Sequence, residues 1–337
     1  MSTLLTKHHN YVIGIFSIIV IIFSVQTWNR IGVWKDPNIL FNDIIEKNPD
    51  NWHICNAYYS LGNYKRDKGD LQDAIKDYSK AISLNQEYAW AYYERGFTYS
   101  GMDSFPNAIK DYSKTISLNQ DYVWAYYERG LAYKNMGDFQ NALKDYSKTI
   151  DLDPEFIKAY YARGLAFENI GNFQNALSDF NTAIQLTPKN AQYYNSRGWA
   201  YFEAGNKKEA MADYDQAIKL SPEFAETYNN RGWAYYKAGD IKSALVDFDK
   251  AIKLDPSFSK PLYNRAMLNT STQNFNGAIE DYNILLQHHP TDSLAYFYKG
   301  IIYYKDLKTP EEACKNWKKS MDLGYKQATV ALQQYCH

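Results

Sequence analysis

Cysteine is nearly absent: the 337 residues include only Cys55, Cys314 and Cys336, with no CxxC pair. None of the six histidines stands at zinc-ligand spacing from a cysteine, so neither a metal nor a cofactor is expected. A charge surplus is lacking too. Lysine and arginine total 37 against 38 acidic residues, a net of −1, and an electrostatic nucleic-acid binder normally shows a basic surplus. No glycine-rich phosphate loop and no nucleophile elbow occurs. His53, His288, His289 and His337 have no evident ligating partner. The carboxylates recur in equivalent places, whereas a catalytic pair needs unique, differently tuned environments. The chain therefore reads as a non-enzyme.

Long apolar runs are also missing, with one exception. From position 11 the chain reads YVIGIFSIIVIIFSV and reaches Trp28 without a charge. Those 18 residues are about the minimum for crossing a hydrocarbon core. Tyr11 and Trp28 suit the two interfaces. The exit carries no A-x-A-like cleavage site, which argues against a removed signal peptide. Residues 11–28 are therefore expected to form a transmembrane helix in contact with the lipid bilayer, after a tail of residues 1–10. Lys7 lies on one side and Arg30 and Lys35 on the other, so the positive-inside rule leaves the orientation open.

What the chain has in excess is aromatic residues: 17%, with 32 Tyr and 8 Trp. Rings in such number must fill recurrent packing positions or line a binding face. A period of 34 residues supplies the positions. Glycine recurs at 62, 96, 130, 164, 198, 232 and 300, with Ala266 in the missing slot. Twelve residues after each stand Ala74, Ala108, Ala142, Ala176, Ala210, Ala244 and Ala278. Four further on come Tyr78, Tyr112, Tyr146, Phe180, Tyr214, Phe248 and Tyr282. A one-residue insertion places Ala313 and Trp317 in those roles in the eighth repeat. Residues 73–96 and 107–130 agree at 20 of 24 positions, the mark of a tandem duplication.

Each repeat reads as two helices. The first ends at Gly69, Gly137, Gly171, Gly205 or Gly239, where glycine supplies a left-handed residue. Asp70, Asp138, Asn172, Asn206 and Asp240 follow as candidate N-caps. The mid-helix glycine costs about 0.5–1 kcal/mol relative to alanine, which close approach of the paired helix explains. The later aromatic is expected to fill the space between neighbouring repeats. Arginine precedes the packing position at 95, 129, 163, 197, 231 and 265, and aspartate precedes the second-helix ring from Asp77 to Asp281. The matched rows predict Arg–Asp pairing within or between repeats, worth about 0–1 kcal/mol each if exposed.

The pattern Tyr-Tyr-x-Arg-Gly-x-x-Tyr, then Gly-Asp/Asn, then Ala-x-x-Asp-Tyr/Phe-x-x-Ala-Ile-x-Leu-x-Pro resembles the tetratricopeptide repeat. The resemblance covers eight repeats over residues 55–326. It implies an all-α superhelical solenoid of helix-turn-helix units, preceded here by the single membrane helix. Residues 29–54 form a juxtamembrane segment with a half-repeat helix, and residues 327–337 a capping helix. Arg30-Ile-Gly-Val-Trp-Lys-Asp36 and the Leu-Phe-x-Asp-x-Ile-x-Lys-x-Pro run to Pro49 resemble the junction in polytopic bacterial membrane proteins. There the array lies outside the cytoplasm. The helices and acidic loops that precede that junction are absent, so no glycosyltransferase activity carries over.

The resemblance also implies that the first helices line a concave face that binds a protein or peptide partner. The stripe contains Trp90, Tyr93, Trp124, Tyr127, Tyr161, Asn195, Trp199, Phe202, Asn229, Trp233 and Tyr236, with Leu165, Glu168, Gln192, Glu203, Glu226 and Lys237 among them. The same rings could pack against the next repeat, or stack on sugars in an accessory subunit of a cell-envelope enzyme system. The lysine clamp that grips chaperone C-termini is not matched: the opening stripe reads Asn56, Tyr59, Asn63 and Arg66. Cys314 and Cys336 fall at equal heights on the last two antiparallel helices, as a disulfide if the compartment is oxidising or as free thiols. The ending Ala-Cys-Lys-Asn-Trp-Lys-Lys…Leu-Gly-Tyr…Tyr-Cys resembles Bacteroidetes-type repeat proteins.

Overall fold

The structure, a computed structural model, describes residues 36–47 and 54–336. The expected membrane helix over residues 11–28 lies outside the described residues. Among those described, no helix is long and apolar enough to cross a membrane, and all regular structure is helical, in eighteen helices. The chain divides into two compact units between Ala159 and Tyr160.

The first unit holds α1 (Pro37–Lys47), α2 (Ile54–Asp67), α3 (Leu71–Leu84), α4 (Ala89–Gly101), α5 (Phe105–Leu118), α6 (Val123–Asn135) and α7 (Phe139–Leu152). The division falls in the first turn of α8 (Ile157–Asn169). In the second unit α8 is followed by α9 (Phe173–Leu186), α10 (Ala191–Glu203), α11 (Lys207–Leu220), α12 (Ala225–Lys237) and α13 (Ile241–Leu254). Then come α14 (Ser259–Ser271), α15 (Phe275–His288), α16 (Ser293–Lys305), α17 (Pro310–Asp322) and α18 (Lys326–Tyr335).

The even-odd pairs α2/α3 to α16/α17 are the repeats. Gly137 and Gly171 close first helices at φ 78° and 75°, where a Cβ would be strained. Immediately after the closing glycine, Asp138, Asn172 and Asp240 accept hydrogen bonds from backbone N–H groups of the next helix. Asp70 and Asn206 stand at the same position without that bond. The second helices bury one stripe: α9 buries Ala176, Leu177, Asp179, Phe180, Ala183 and Ile184, the i, i+3, i+4, i+7 spacing of an amphipathic helix.

The repeat glycine packs against a ring. A Cβ at Gly164 would lie 2.6 Å from Phe180 Cε1, and one at Gly130 2.7 Å from Tyr146 Cε1. Sixteen residues separate each pair, so the ring closes its own helix hairpin; it also reaches the next repeat as expected, Tyr282 lying 6.4 Å from Tyr298 and Phe248 clustering with Leu268. Where alanine replaces the glycine, at Ala266, the partner Tyr282 keeps 5% exposure while Phe180 has none. Its ring meets Tyr263 at 70°, against 47° for Tyr161 and Phe180.

Arginine and aspartate rows meet as two-pronged pairs within the second to seventh repeats, from Arg95 to Arg265. Arg129 donates from Nε to Asp145 Oδ2 at 2.8 Å and from Nη2 to Oδ1 at 2.7 Å; Arg163 with Asp179, Arg197 with Asp213 and Arg231 with Asp247 do the same. The third prong reaches the preceding repeat: Arg129 Nη1 donates to Ser113 and Arg197 Nη1 to Asn181. The aspartates are buried, at 5% exposure for Asp145 and 1% for Asp281. The surface-pair magnitude therefore does not apply. In the opening repeat Leu61 occupies the arginine slot, and Lys65 faces Asp77 instead at 2.7 Å.

At the far end of the second unit, a disulfide joins Cys314 on α17 to Cys336 just beyond α18, with 5.8 Å between Cα atoms. Ala313, Trp317 and Ala328 form the core beneath it. Cys55 is buried.

Candidate functional site

One first-helix position, recurring every 34 residues from Tyr59 to Tyr263, decides where the array is filled and where it opens. Tyr59, Tyr93 and Tyr127 in the first unit, and Tyr161 and Tyr263 in the second, lay a ring 5.8–6.2 Å from the second-helix aromatic of their own repeat. Asparagine takes this place at 195 and 229. A carboxamide is shorter than a phenol ring, and between Tyr161 and Tyr263 a groove of about 570 Å³ opens. Such a volume falls within the range of ligand pockets. Leu165, Glu168, Ser196, Trp199, Glu226, Trp233, Lys260 and the two asparagines line it with their neighbours.

Asn195 and Asn229 are 3% and 4% exposed, so their amides need partners. A chain of carboxamides supplies them. Asn230 Nδ2 donates to Asn195 Oδ1 at 3.1 Å, Asn264 Nδ2 to Asn229 Oδ1 at 2.8 Å, and Asn229 Nδ2 to Asn230 Oδ1 at 3.2 Å. Both oxygens are thereby turned along the chain, which leaves Asn195 Nδ2 committed to no acceptor among these bonds. The flanking tyrosines are fixed as well: Tyr161 Oη lies 3.0 Å from Ser196 Oγ, and Tyr263 Oη donates to Asp292 at 2.8 Å. Each groove tryptophan leans on the residue one turn later, Trp199 on Phe202 at 5.8 Å and Trp233 on Tyr236 at 5.5 Å. Lys237 Nζ sits 4.6 Å from the Trp233 ring centroid.

One carboxylate in the groove is out of balance. Glu168 Oε2 is buried and has no hydrogen-bond partner. Burial, and then Glu203 and Glu226, push its carboxyl up to about 7. The folded state thus holds a proton that the unfolded state releases near the ordinary glutamate value. The Glu168 contribution to stability is complete only below about pH 4.5 and is lost as pH rises from there through about 7. Glu168→Gln removes that slope. Denaturant titrations at stepped pH check it, and an unchanged slope in the variant would refute the assignment.

The sequence-derived residues separate into two groups. Tyr161, Asn195, Trp199, Asn229 and Trp233 share the groove, with Phe202 and Tyr236 behind the two tryptophans. Trp90, Tyr93, Trp124 and Tyr127 belong to the first unit and pack on rings before the first helices. Trp90 and Tyr93 both lie 5.0 Å from Tyr122, and Trp124 and Tyr127 lie 4.8 and 5.0 Å from Phe156. Trp90 and Trp124 remain 53% and 42% exposed. Sequence reasoning missed Ser196, Asn230, Lys260, Tyr263 and Asn264. The break in the tyrosine row at 195 and 229 is the signal that points to them.

Paired helices with a glycine–ring joint, repeated at 34 residues, define a helical-repeat solenoid. The chain belongs to the tetratricopeptide-repeat family, whose fold serves as a scaffold for protein–protein interaction. The family description "TPR repeat" matches residues 55–103, 104–137 and 198–239, and "Tetratricopeptide repeat" matches 123–156, 157–190 and 225–258. Together they span more than half of the 337 residues. A tetratricopeptide repeat protein from Parabacteroides merdae superposes with a TM-score of 0.52 at 24% identity, covering 69% of this chain and 90% of that one. The Cut9–Hcn1 hetero-tetramer of the APC/C gives 0.55 at 16% identity, over 83% of this chain and 56% of its own. MamA gives 0.49 at 26% identity, over 52% of this chain and 95% of its own. No curated protein matches the sequence.

Proposed function

We propose that this protein is a membrane-anchored interaction scaffold that holds an extended peptide segment of a partner in the groove of its second unit. The observation that carries this is the groove between Tyr161 and Tyr263, opened by Asn195 and Asn229. Carboxamides carry a donor and an acceptor and so match a peptide backbone, while Trp199 and Trp233 offer apolar contact area for alternate side chains. The groove holds carboxylates, carboxamides and one lysine, with no histidine or cysteine among its lining residues; the reading assigns it binding and no catalysis.

Residues 11–28 are the anchor in this reading, and the array lies outside the cytoplasm. The Cys314–Cys336 bridge supports that side, since disulfides persist in oxidising compartments. A glycan platform is less well served. Lys237 covers one face of Trp233, and Phe202 and Tyr236 lean on the two indoles.

The test restores the tyrosine row. Asn195→Tyr with Asn229→Tyr places in the groove the residue that five other repeats carry at that position. Peptide binding by the full chain, screened on an arrayed library by fluorescence anisotropy, is expected to weaken by at least about tenfold, or about 1.4 kcal/mol. Undiminished binding by the folded double variant would move the site elsewhere.

A further inference from the structure

We propose that the groove selects a peptide carrying a lysine or arginine, whose cationic head is received by Glu168 and Glu226 beside Tyr161 and Trp199. This deepens, and rests on, the peptide-groove reading. The two units differ in what their buried glutamates face. In the first, glutamates taken out of water have a cation from the chain itself: Arg66 donates to Glu94, and Lys158 acts on Glu128. In the second, Glu168 Oε2 is buried with no hydrogen-bond partner. The charges that act on it are Glu203 and Glu226, both acidic. A buried polar atom left unmatched is costly, and a carboxylate among carboxylates more so.

Charge complementarity then names the occupant. Two carboxylates line the groove against one lysine, the exposed Lys260, and Glu203 adds a third negative charge to the field at Glu168. An entering ammonium or guanidinium would give Glu168 the partner that the fold withholds, and would favour its ionised form. The aromatic walls add to the same preference, because a cation over a ring face is attracted to it. Rings of this protein already receive cations in that way, Trp124 from Lys158 and Trp233 from Lys237. A basic segment with its backbone on the asparagine chain would engage both the carboxamides and the unmatched Glu168 carboxylate. An acidic segment would meet repulsion at Glu168.

The experiment uses the full-length chain and a set of synthetic, unstructured peptides identical except for one position, which is Lys, Arg, Gln or Glu. Anisotropy titrations are expected to give Lys and Arg peptides an advantage over Gln of about ten- to a hundredfold, the range for a hydrogen bond to a charged group. In Glu168→Gln the advantage disappears while the Gln peptide binds as before. In Glu168→Lys the Glu peptide becomes the preferred one. The wild type provides a further check that needs no variant, since the basic preference should shrink at about pH 5, where Glu168 is protonated. Equal binding of Lys, Arg and Gln peptides by the wild type overturns the basic-side-chain inference and leaves the peptide groove standing. Failure of every peptide to bind overturns both.

Discussion

Asp145→Ala should destabilise the first unit by about 3–5 kcal/mol, the cost of stranding one member of a buried ion pair. Asp145 is 5% exposed and accepts both prongs of Arg129. With the carboxylate gone, the guanidinium keeps its bond to the Ser113 hydroxyl at 2.9 Å, and a hydroxyl does not neutralise it. Burial pushes the Asp145 carboxyl up even with the arginine pulling the other way. Desolvation of the pair is therefore large, and the pair as a whole need not stabilise the repeat. Replacing both residues with apolar ones, Arg129→Met with Asp145→Leu, is accordingly expected to recover most of the loss. Asp73→Ala breaks only the exposed pair with Lys76 and should leave the transition unmoved. Because repeat arrays unfold by neighbouring units rather than as one body, amide exchange in α6 and α7 is the measurement that resolves the effect. A loss below about 1 kcal/mol, typical of surface pairs, would show that the pair behaves as if solvated.

The helix pairs were legible because glycine, alanine and ring recur at a fixed offset, and that offset is a property of the hairpin itself. The ring's partner was harder to read. Period alone cannot tell a contact across one hairpin from a contact with the next, and Phe180 lies on Gly164 of its own repeat. The Arg–Asp rows were readable as pairs, but their burial was not, since neither residue type signals a dry site. In the groove, the stripe of first-helix positions pointed to Tyr161, Asn195, Trp199, Asn229 and Trp233. Asn230 and Asn264 escaped because each acts on an asparagine 35 residues earlier, one residue off the repeat period. Trp90 and Trp124 fit the stripe equally well, yet their partners Tyr122 and Phe156 stand just before the helices, in segments that a helical pattern assigns to turns.

Phe180→Ala is expected to cost about 3–5 kcal/mol, the usual loss for emptying a buried ring site, and Gly164 should decide how much of it is recovered. Phe180 has no exposure, and its Cε1 would lie 2.6 Å from a Cβ on Gly164. Gly164→Ala alone gains about 0.5–1 kcal/mol of helix preference but overpacks the joint, at about 1–3 kcal/mol, so it should destabilise on balance. The repeat with Ala266 shows the available escape: Tyr282 stands at 70° to Tyr263 and keeps slight exposure. Phe180 is expected to turn in the same sense in the Gly164→Ala variant. Combined with Phe180→Ala, the new methyl enters the vacated space and its clash vanishes. The two changes should then be less harmful together than their sum, by about 1 kcal/mol or more, as contacting residues allow. Denaturant unfolding followed at α8 and α9 measures the cycle. Strict additivity would mean that ring and glycine do not share one contact, and that the 34-residue glycine row needs another cause.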